Sequence, residues 1–396
     1  MQLDFVDPIV RANPFPVFAR LRRTDPVHRA ASGNWIITRY ADVDALNRDR
    51  RLGRDLRRWG KYELFRPYLA DSALERSVER WMISIDPPDH TRLRRVAAHA
   101  FSPRAMAALR KNVERTVDGL LEGLDGMEEL EYVGAFARPL CVLIIGDLLS
   151  FPRGDYAALD EWAKKLCVVL DPTISAKQKV EGAAAAASMT EYVREIVRVR
   201  RKDPRQDLLS YLAVSLDEGE ATDEDEVVAN VIGLFVAGVT NTIIPNGLYQ
   251  LLTHPNEFER LRRDPSLVNR AVEELLRFDS RGINARLTLE NVEVGDKVIP
   301  AGQMVLCMLG AANRDPEVFE DPDRLDLGRH PNPHLTFGGG IHHCLGAALT
   351  RLQAQVTYDR LPRRWGGIEL DEDGLEWTDF FAIRSVARMP VHVTAG

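Results

Sequence analysis

The alternation of apolar and polar positions along the chain predicts helices interspersed with short strands. Asn13 to Arg23 (NPFPVFARLRR) predicts a helix entered through Pro14 and Pro16. TDPVHR then leads to an apolar strand at Trp35 to Thr38, and ADVDALNRD predicts the next helix. From Ser102 to Leu216 the period is helical almost throughout, including KNVERTVDGLLEGL, ARPLCVLIIGDLL and SMTEYVREIVRVRRKD. Thr222 opens the longest helix. Its acidic start, TDEDE, complements the positive end of the dipole, and the apolar pattern runs to about Leu252. That is roughly 45 Å at 1.5 Å per residue. NARLTL and NVEVGDKVIPAGQMVLCML predict short strands with a Gly-Asp turn, and WTDFFAIR predicts a hairpin whose tip carries Phe380 and Phe381.

One stretch keeps no period. Between Arg50 and Met82 the rings of Trp59, Tyr62, Phe65 and Trp81 gather in a loop-rich segment, as they do where a chain lines a pocket. Each ring taken singly is equally well explained as core.

Composition narrows the function. The 396 residues would suffice for two or three average domains, yet no stretch reads as a linker, which predicts a single domain over 1–396. An apolar fraction of 45% and a charged fraction of 28% are those of a globular protein in water, and a net charge of −7 argues against nucleic acid as a partner. MQLDFVDPIV has neither the basic segment nor the apolar core of a signal peptide. The run Val227 to Val239 is interrupted by Asn230 and is too short to span a membrane. A cytoplasmic monomer is expected. Four scattered cysteines, Cys141, Cys167, Cys307 and Cys344, predict no disulfide. Only 8 of the 52 basic residues are Lys, a bias of GC-rich bacterial genomes.

The chemistry concentrates at Thr336 to Gly346, TFGGGIHHCLG. LGAALTRLQ after it is helical in composition, so Cys344 is predicted to cap a helix start, where unpaired N–H groups and the dipole favour a thiolate. A thiolate ligates iron. Gly338, Gly339 and Gly340 let the backbone turn tightly against a large flat cofactor, with the Phe337 ring beside the sulfur. Zinc at His342, His343 and Cys344 is excluded because adjacent residues cannot supply a tetrahedral site.

Phe337, Gly338, Gly340, His342, Cys344 and Gly346 fill every fixed position of the haem-ligand signature Phe-Gly-x-Gly-x-His-x-Cys-x-Gly, so the sequence resembles the cytochrome P450 family. The resemblance runs from about Asn13 to Val393. It implies a mainly α fold with small β-sheets, built as a triangular prism around a buried haem b, with Cys344 as the axial iron ligand. His90 and Arg94 lie at i, i+4 on one helix face. By spacing alone they also describe a solvated basic face; by resemblance they hold haem propionates, with His342 and Arg286. Glu274 and Arg277 match the family's Glu-x-x-Arg, with Arg324 as third partner and Arg329 as its rival. Met82, Val239, Ile283, Asn284 and Ala285 would face substrate, together with the rings named above.

The long helix departs from the family. Its pattern Ala/Gly-Gly-x-Asp/Glu-Thr-Thr meets Ala237, Gly238, Val239, Thr240, Asn241 and Thr242, so the positions of the proton-delivering acid and alcohol hold Thr240 and Asn241. Ala237 and Gly238 leave room for a flat ring against the backbone. Pro245 has no N–H for the Asn241 carbonyl, which predicts a kink there. That carbonyl either faces the groove as an acceptor or merely marks a bend.

A thiolate ligand favours O–O cleavage, and the cofactor carries the oxidation. No dinucleotide fingerprint follows a strand, so electrons must come from elsewhere, in the resemblance from a ferredoxin and its NAD(P)H-dependent reductase. They would dock on a basic patch of Arg92, Arg95 and Arg351. The implied activity is hydroxylation of a small natural-product intermediate, with substrate or water standing in for the missing relay. Oxidative coupling of aromatic rings, as in cyclic dipeptides, is the alternative within this chemistry, and a haem sensor or carrier the alternative outside it.

Overall fold

The computed structural model describes residues 13–63, 73–168, 175–280, 282–378 and 384–394. Phe65, Phe380 and Phe381 lie outside them. The chain forms two compact units, each assembled from separated segments: Met1–Leu52 with Ala108–Leu140 and Thr242–Gly396, and Gly53–Ala107 with Cys141–Asn241.

The first unit holds the sheets. Strands Val27–Arg29, Trp35–Ile37, Met304–Met308 and Ile283–Thr288 lie side by side in that order. Trp35–Ile37 runs parallel to Met304–Met308, which pairs antiparallel with Ile283–Thr288 in the register Asn284 to Cys307 and Arg286 to Val305. Val27, Ile37, Val305 and Cys307 build a core with Val43 and Leu46 of the Tyr40–Arg48 helix. Gly295, at φ 59°, turns the Val292–Val294 and Lys297–Ile299 hairpin as the Gly-Asp pair predicts. Helices Ile243–Thr253, Val268–Phe278 and Ala347–Arg360 belong here too. Tyr358 Oη lies 2.8 Å from the carbonyls of Ile243 and Ile244, pinning the start of the first of these helices to the last.

The second unit is helical. The Ala176–Lys202 helix opens on a capping box in which Ser175 Oγ accepts from Gln178 N at 3.2 Å and Gln178 Oε1 accepts from Ser175 N at 2.9 Å. The Glu224–Val239 helix is capped by Asp223, whose Oδ1 accepts from Glu226 N at 2.8 Å, while Glu226 Oε2 accepts from Thr222 N. Its apolar face joins Val193, Val197, Ile145 and Trp81 in one core.

The single long helix expected to about Leu252 is two helices. The first ends at Val239, and the next begins at Ile243. Thr240 closes the first, its N–H and hydroxyl both directed at the Ala237 carbonyl, at 3.3 and 2.8 Å. Pro245 is the third residue of the second helix, where an N–H has no intrahelical partner to lose. The interruption therefore falls before the proline, as a break between two helices in place of a kink. Glu224–Thr253 is long and apolar enough to cross a membrane, but most of it is buried inside the protein.

Candidate active site

The Thr336–Gly346 segment closes on itself through its backbone. Cys344 N–H donates to Phe337 O at 2.9 Å, Gly338 N–H to Leu335 O at 2.8 Å and His343 N–H to Gly340 O at 3.1 Å. Gly338 and Gly340 sit at φ 68° and 66°, which L side chains rarely adopt. Gly340 also lies too close to a neighbour for a Cβ, which would strike the Asn47 carbonyl, while one on Gly338 would stand a tight 3.0 Å from Asn284 Nδ2. Cys344 is exposed. It does not cap the helix as expected. Gly346 is the N-cap of Ala347–Arg360, and the Cys344 carbonyl accepts from Ala347 N at 3.3 Å, so the cysteine enters one short turn earlier. A Cβ on Gly346 would meet Cys344 Sγ, at 4.0 Å, and nothing closer, so any side chain there would fill the space beside the sulfur.

Phe337 is held from behind. The Arg351 guanidinium lies 4.6 Å from its ring centroid, and Arg351 in turn donates to both oxygens of Glu273, at 2.7 and 2.9 Å. His334 Nε2 donates to the same carboxylate at 2.9 Å. Burial works to raise the Glu273 pKa, but the hydrogen bonds from His334 and Arg351 outweigh it and hold it at about 2 against an ordinary 4.5. A depressed carboxylate stabilises the fold fully above its unfolded pKa and loses that contribution as pH falls through the folded one. Thermal midpoints should therefore drop between about pH 4.5 and 2, and Glu273→Gln should flatten that part of the profile. An unchanged slope in the variant would remove Glu273 from the acid transition.

Arg286 is 2% exposed on the Ile283–Thr288 strand, and its Nη1 donates to Asn284 Oδ1 at 2.9 Å. Asn284 itself is not open to a substrate, as had been expected. It is 5% exposed, and its Nδ2 donates to Asn47 Oδ1 at 2.6 Å. Ile283 packs against the Phe18 and Leu21 cluster, half-buried like Ala285. His342 ends the 3-10 turn Gly340–His342 with its Nε2 buried.

The Glu274 network is fully enclosed. Glu274 and Arg277 have side chains 0% exposed and bond through Nε–Oε2 at 2.7 Å and Nη2–Oε1 at 2.8 Å. The third member is Arg329, whose Nε donates to both Glu274 oxygens at 3.1 Å. Arg324 contributes its carbonyl, which accepts from Arg277 and Arg329, and not its guanidinium. Arg277 also donates to the Asn313 carbonyl at 2.8 Å. The Asn313 side chain accepts from Leu335 N at 2.6 Å and donates to Thr336 Oγ1 at 3.0 Å. The network thus ends on the first residues of the cysteine segment.

In the second unit, His90 is 1% exposed and Arg94 half-buried, one turn apart on the Asp89–Ala98 helix. Ala237 is exposed, as room for a flat ring requires. Gly238 is not open in that way: a Cβ there would overlap Ile145, with Cδ1 at 2.7 Å, so this glycine serves helix packing. Val239 and Trp81, expected to face substrate, are 4% and 5% exposed in the core. Trp81 Nε1 donates to Ser77 Oγ at 3.1 Å. Met82 N–H donates to Asn230 Oδ1 at 2.8 Å, while Asn230 Nδ2 donates to the carbonyls of Arg80 and Glu226. Tyr62 Oη bonds Glu79, and Trp59 is half-buried. Thr240 is occupied by Ala237, and Asn241 follows it in the break between the helices.

The arginines expected to form a basic patch are paired. Arg92 bonds both oxygens of Glu226, at 2.7 and 2.8 Å, which pushes its pKa up; Arg95 bonds Glu220 at 2.8 Å; and Arg351 bonds Glu273. The roles of Asn47, Glu273, Asn313 and Asn230 escaped the sequence reading, because a polar side chain shows no partner until the fold supplies one.

Residues 169–364 match the sequence family described as Cytochrome P450. The chain is 37% identical over 388 residues to cytochrome P450 107B1 of Saccharopolyspora erythraea, covering 94% of this chain and 93% of that one. The crystal structure of CalO2 superimposes with a TM-score of 0.93 at 33% identity, covering 100% and 99% of the two chains. The cytochrome P450 enzyme CxnD, described as forming a C–S bond in chuangxinmycin biosynthesis, superimposes with a TM-score of 0.88 at 31% identity over 97% and 96%.

Proposed function

The chain belongs to the cytochrome P450 family and is an oxidoreductase, and on that premise we propose that it hydroxylates a C–H bond of a small natural-product intermediate. In this reading Cys344 ligates the iron of haem b, and a ferredoxin with its NAD(P)H-dependent reductase supplies the electrons. When bound, the haem supplies oxidation by dioxygen and two electrons. The observation that carries the proposal is the cysteine segment. Its backbone is closed by the Cys344 to Phe337 bond, two of its glycines are at positive φ, and the space beside the sulfur is kept clear by Gly346. The buried Arg286, with His342, is chemically suited to carboxylates: guanidinium and imidazole donors form charge-assisted bonds to them. The residues present therefore fit a haem. Being a family oxidoreductase also removes the sensor or carrier alternative.

The test is the ferrous carbon monoxide spectrum, followed by a panel of candidate substrates screened for spin-state shifts and then for oxidised product. A haem-loaded protein lacking the red-shifted thiolate band would overturn the proposal.

Oxidative coupling is the second reading, and Thr240 favours it. Its hydroxyl is spent on the Ala237 carbonyl at 2.8 Å, so the position of the usual acid offers neither a carboxylate nor an uncommitted proton donor. CxnD, a bond-forming relative, supports the same direction. A substrate that organises its own water, or that loses two hydrogens without oxygen insertion, needs no relay from the chain. Thr240→Asp with Asn241→Thr should then raise peroxide formation or divert product toward hydroxylation, because proton delivery would no longer await the substrate. Asn241→Ala should lower product per NAD(P)H several-fold, the effect of one hydrogen bond of about 1 kcal/mol. If the restored pair raised the yield of native product, the departure at these two positions would be a tolerated loss.

A further inference from the structure

Three buried side chains form a line with a fixed polarity. A guanidinium has only donors, so the Asn284 atom facing Arg286 Nη1 at 2.9 Å must be the amide oxygen. That turns Asn284 Nδ2 toward Asn47, at 2.6 Å, and obliges Asn47 to present its oxygen. Exchanging oxygen and nitrogen in either amide would set donor against donor. The three are 4%, 5% and 2% exposed in the order Asn47, Asn284, Arg286. Asn47 Nδ2 is buried without a hydrogen-bond partner, an arrangement that a leucine at this helix position would avoid. The asparagine is thus poorly explained by the stability of its own helix. The line also touches the cysteine segment: the Asn284 amide lies beside Gly338, while Gly339 and Gly340 lie against the Cβ and the backbone carbonyl of Asn47.

We propose that Asn47 is a positioning residue for the cofactor, its side-chain amide acting through Asn284 to fix the Arg286 guanidinium. The inference rests on the haem reading above, with Arg286 as a carboxylate clamp. Held between Asn284 and the strand, the guanidinium is pre-aimed, so the order needed to bind a carboxylate is already present in the folded chain.

The experiment is a double-mutant cycle on the haem-loaded protein. Haem loss to an excess of a haem-scavenging apoprotein is timed for wild type, Asn47→Ala, Arg286→Ala and the pair. Asn47→Ala should speed loss about tenfold, the lower range for outer-shell partners. The double variant should be no faster than Arg286→Ala alone, because Asn47 acts only through that arginine. Asn47→Asp keeps an acceptor for Asn284 and should recover most of the loss. If Asn47→Ala does not accumulate as folded protein, Asn47→Leu takes its place in the cycle. Multiplicative rates, an unchanged rate in Asn47→Ala or a failure of Asn47→Asp to recover the loss would each overturn the proposal. Failure of the wild type to take up haem would instead overturn the haem reading, and this inference with it.

Discussion

Cys344→Ser is expected to abolish the red-shifted thiolate band of the ferrous carbon monoxide complex and to lower turnover by more than about 100-fold, the upper range for loss of an outer-shell partner of a metal site. A serine hydroxyl stays protonated near neutral pH and donates little charge to iron, whereas a thiol loses its proton readily. The substitution isolates the chemistry from the fold. Cys344 is exposed, and its structural bond is made by the backbone N–H to Phe337, which serine retains. The loop should therefore keep its shape, and the haem-free protein should melt as the wild type does. Retention of both the band and turnover would show that another residue supplies the ligand. Loss of both together with a collapsed melting temperature would show that the cysteine holds the loop.

How much of this was legible beforehand follows from whether the physics is local. Phe337 to Gly346 could be read because backbone conformation and donor type are properties of consecutive residues, and Gly338 and Gly340 do take the positive φ that glycine permits. The Trp35–Ile37 strand and the Gly295 turn were legible for the same reason. Choosing between Arg324 and Arg329 was not. Both are few-residue neighbours in one loop, and only the tertiary path decides which guanidinium reaches Glu274. Gly238 shows the opposite trap: a glycine mid-helix fits a ligand or a neighbouring helix equally well until Ile145 is seen against it. Pro245 gave the place of the interruption, at the Asn241 carbonyl four residues back, but not that it separates two helices. A missing N–H costs nothing in a first turn, so the chain breaks ahead of the proline.

Glu274→Gln is expected to cost the folded protein a large share of its stability. The Glu274 side chain is fully buried between Arg277, also fully buried, and Arg329, and it accepts in addition from Asp326 N at 3.0 Å and Asn332 Nδ2 at 3.2 Å. Glutamine matches the volume but presents one acceptor oxygen and an NH2 group where the carboxylate offered two oxygens. Each carboxylate oxygen accepts from three donors, so the new NH2 group would face three of them, and two guanidiniums would lose their shared carboxylate. Breaking a buried ion pair from one side costs about 3–5 kcal/mol, against a net stability of about 5–15 kcal/mol for a folded domain. The loss should reach the cysteine segment. Arg277 holds the Asn313 carbonyl, and the Asn313 side chain fixes Leu335 and Thr336 ahead of Phe337. Denaturant titration of the haem-free variant should thus show a lower midpoint, and the loaded protein should release haem faster than wild type. Arg329→Lys should do less damage, since it leaves the 2.7 Å Arg277–Glu274 pair intact and surrenders only the bonds of its fork. An unchanged midpoint in Glu274→Gln would mean that the carbonyls of Asn313, Pro322 and Arg324 carry the Arg277 charge unaided, and that the glutamate is dispensable to the fold.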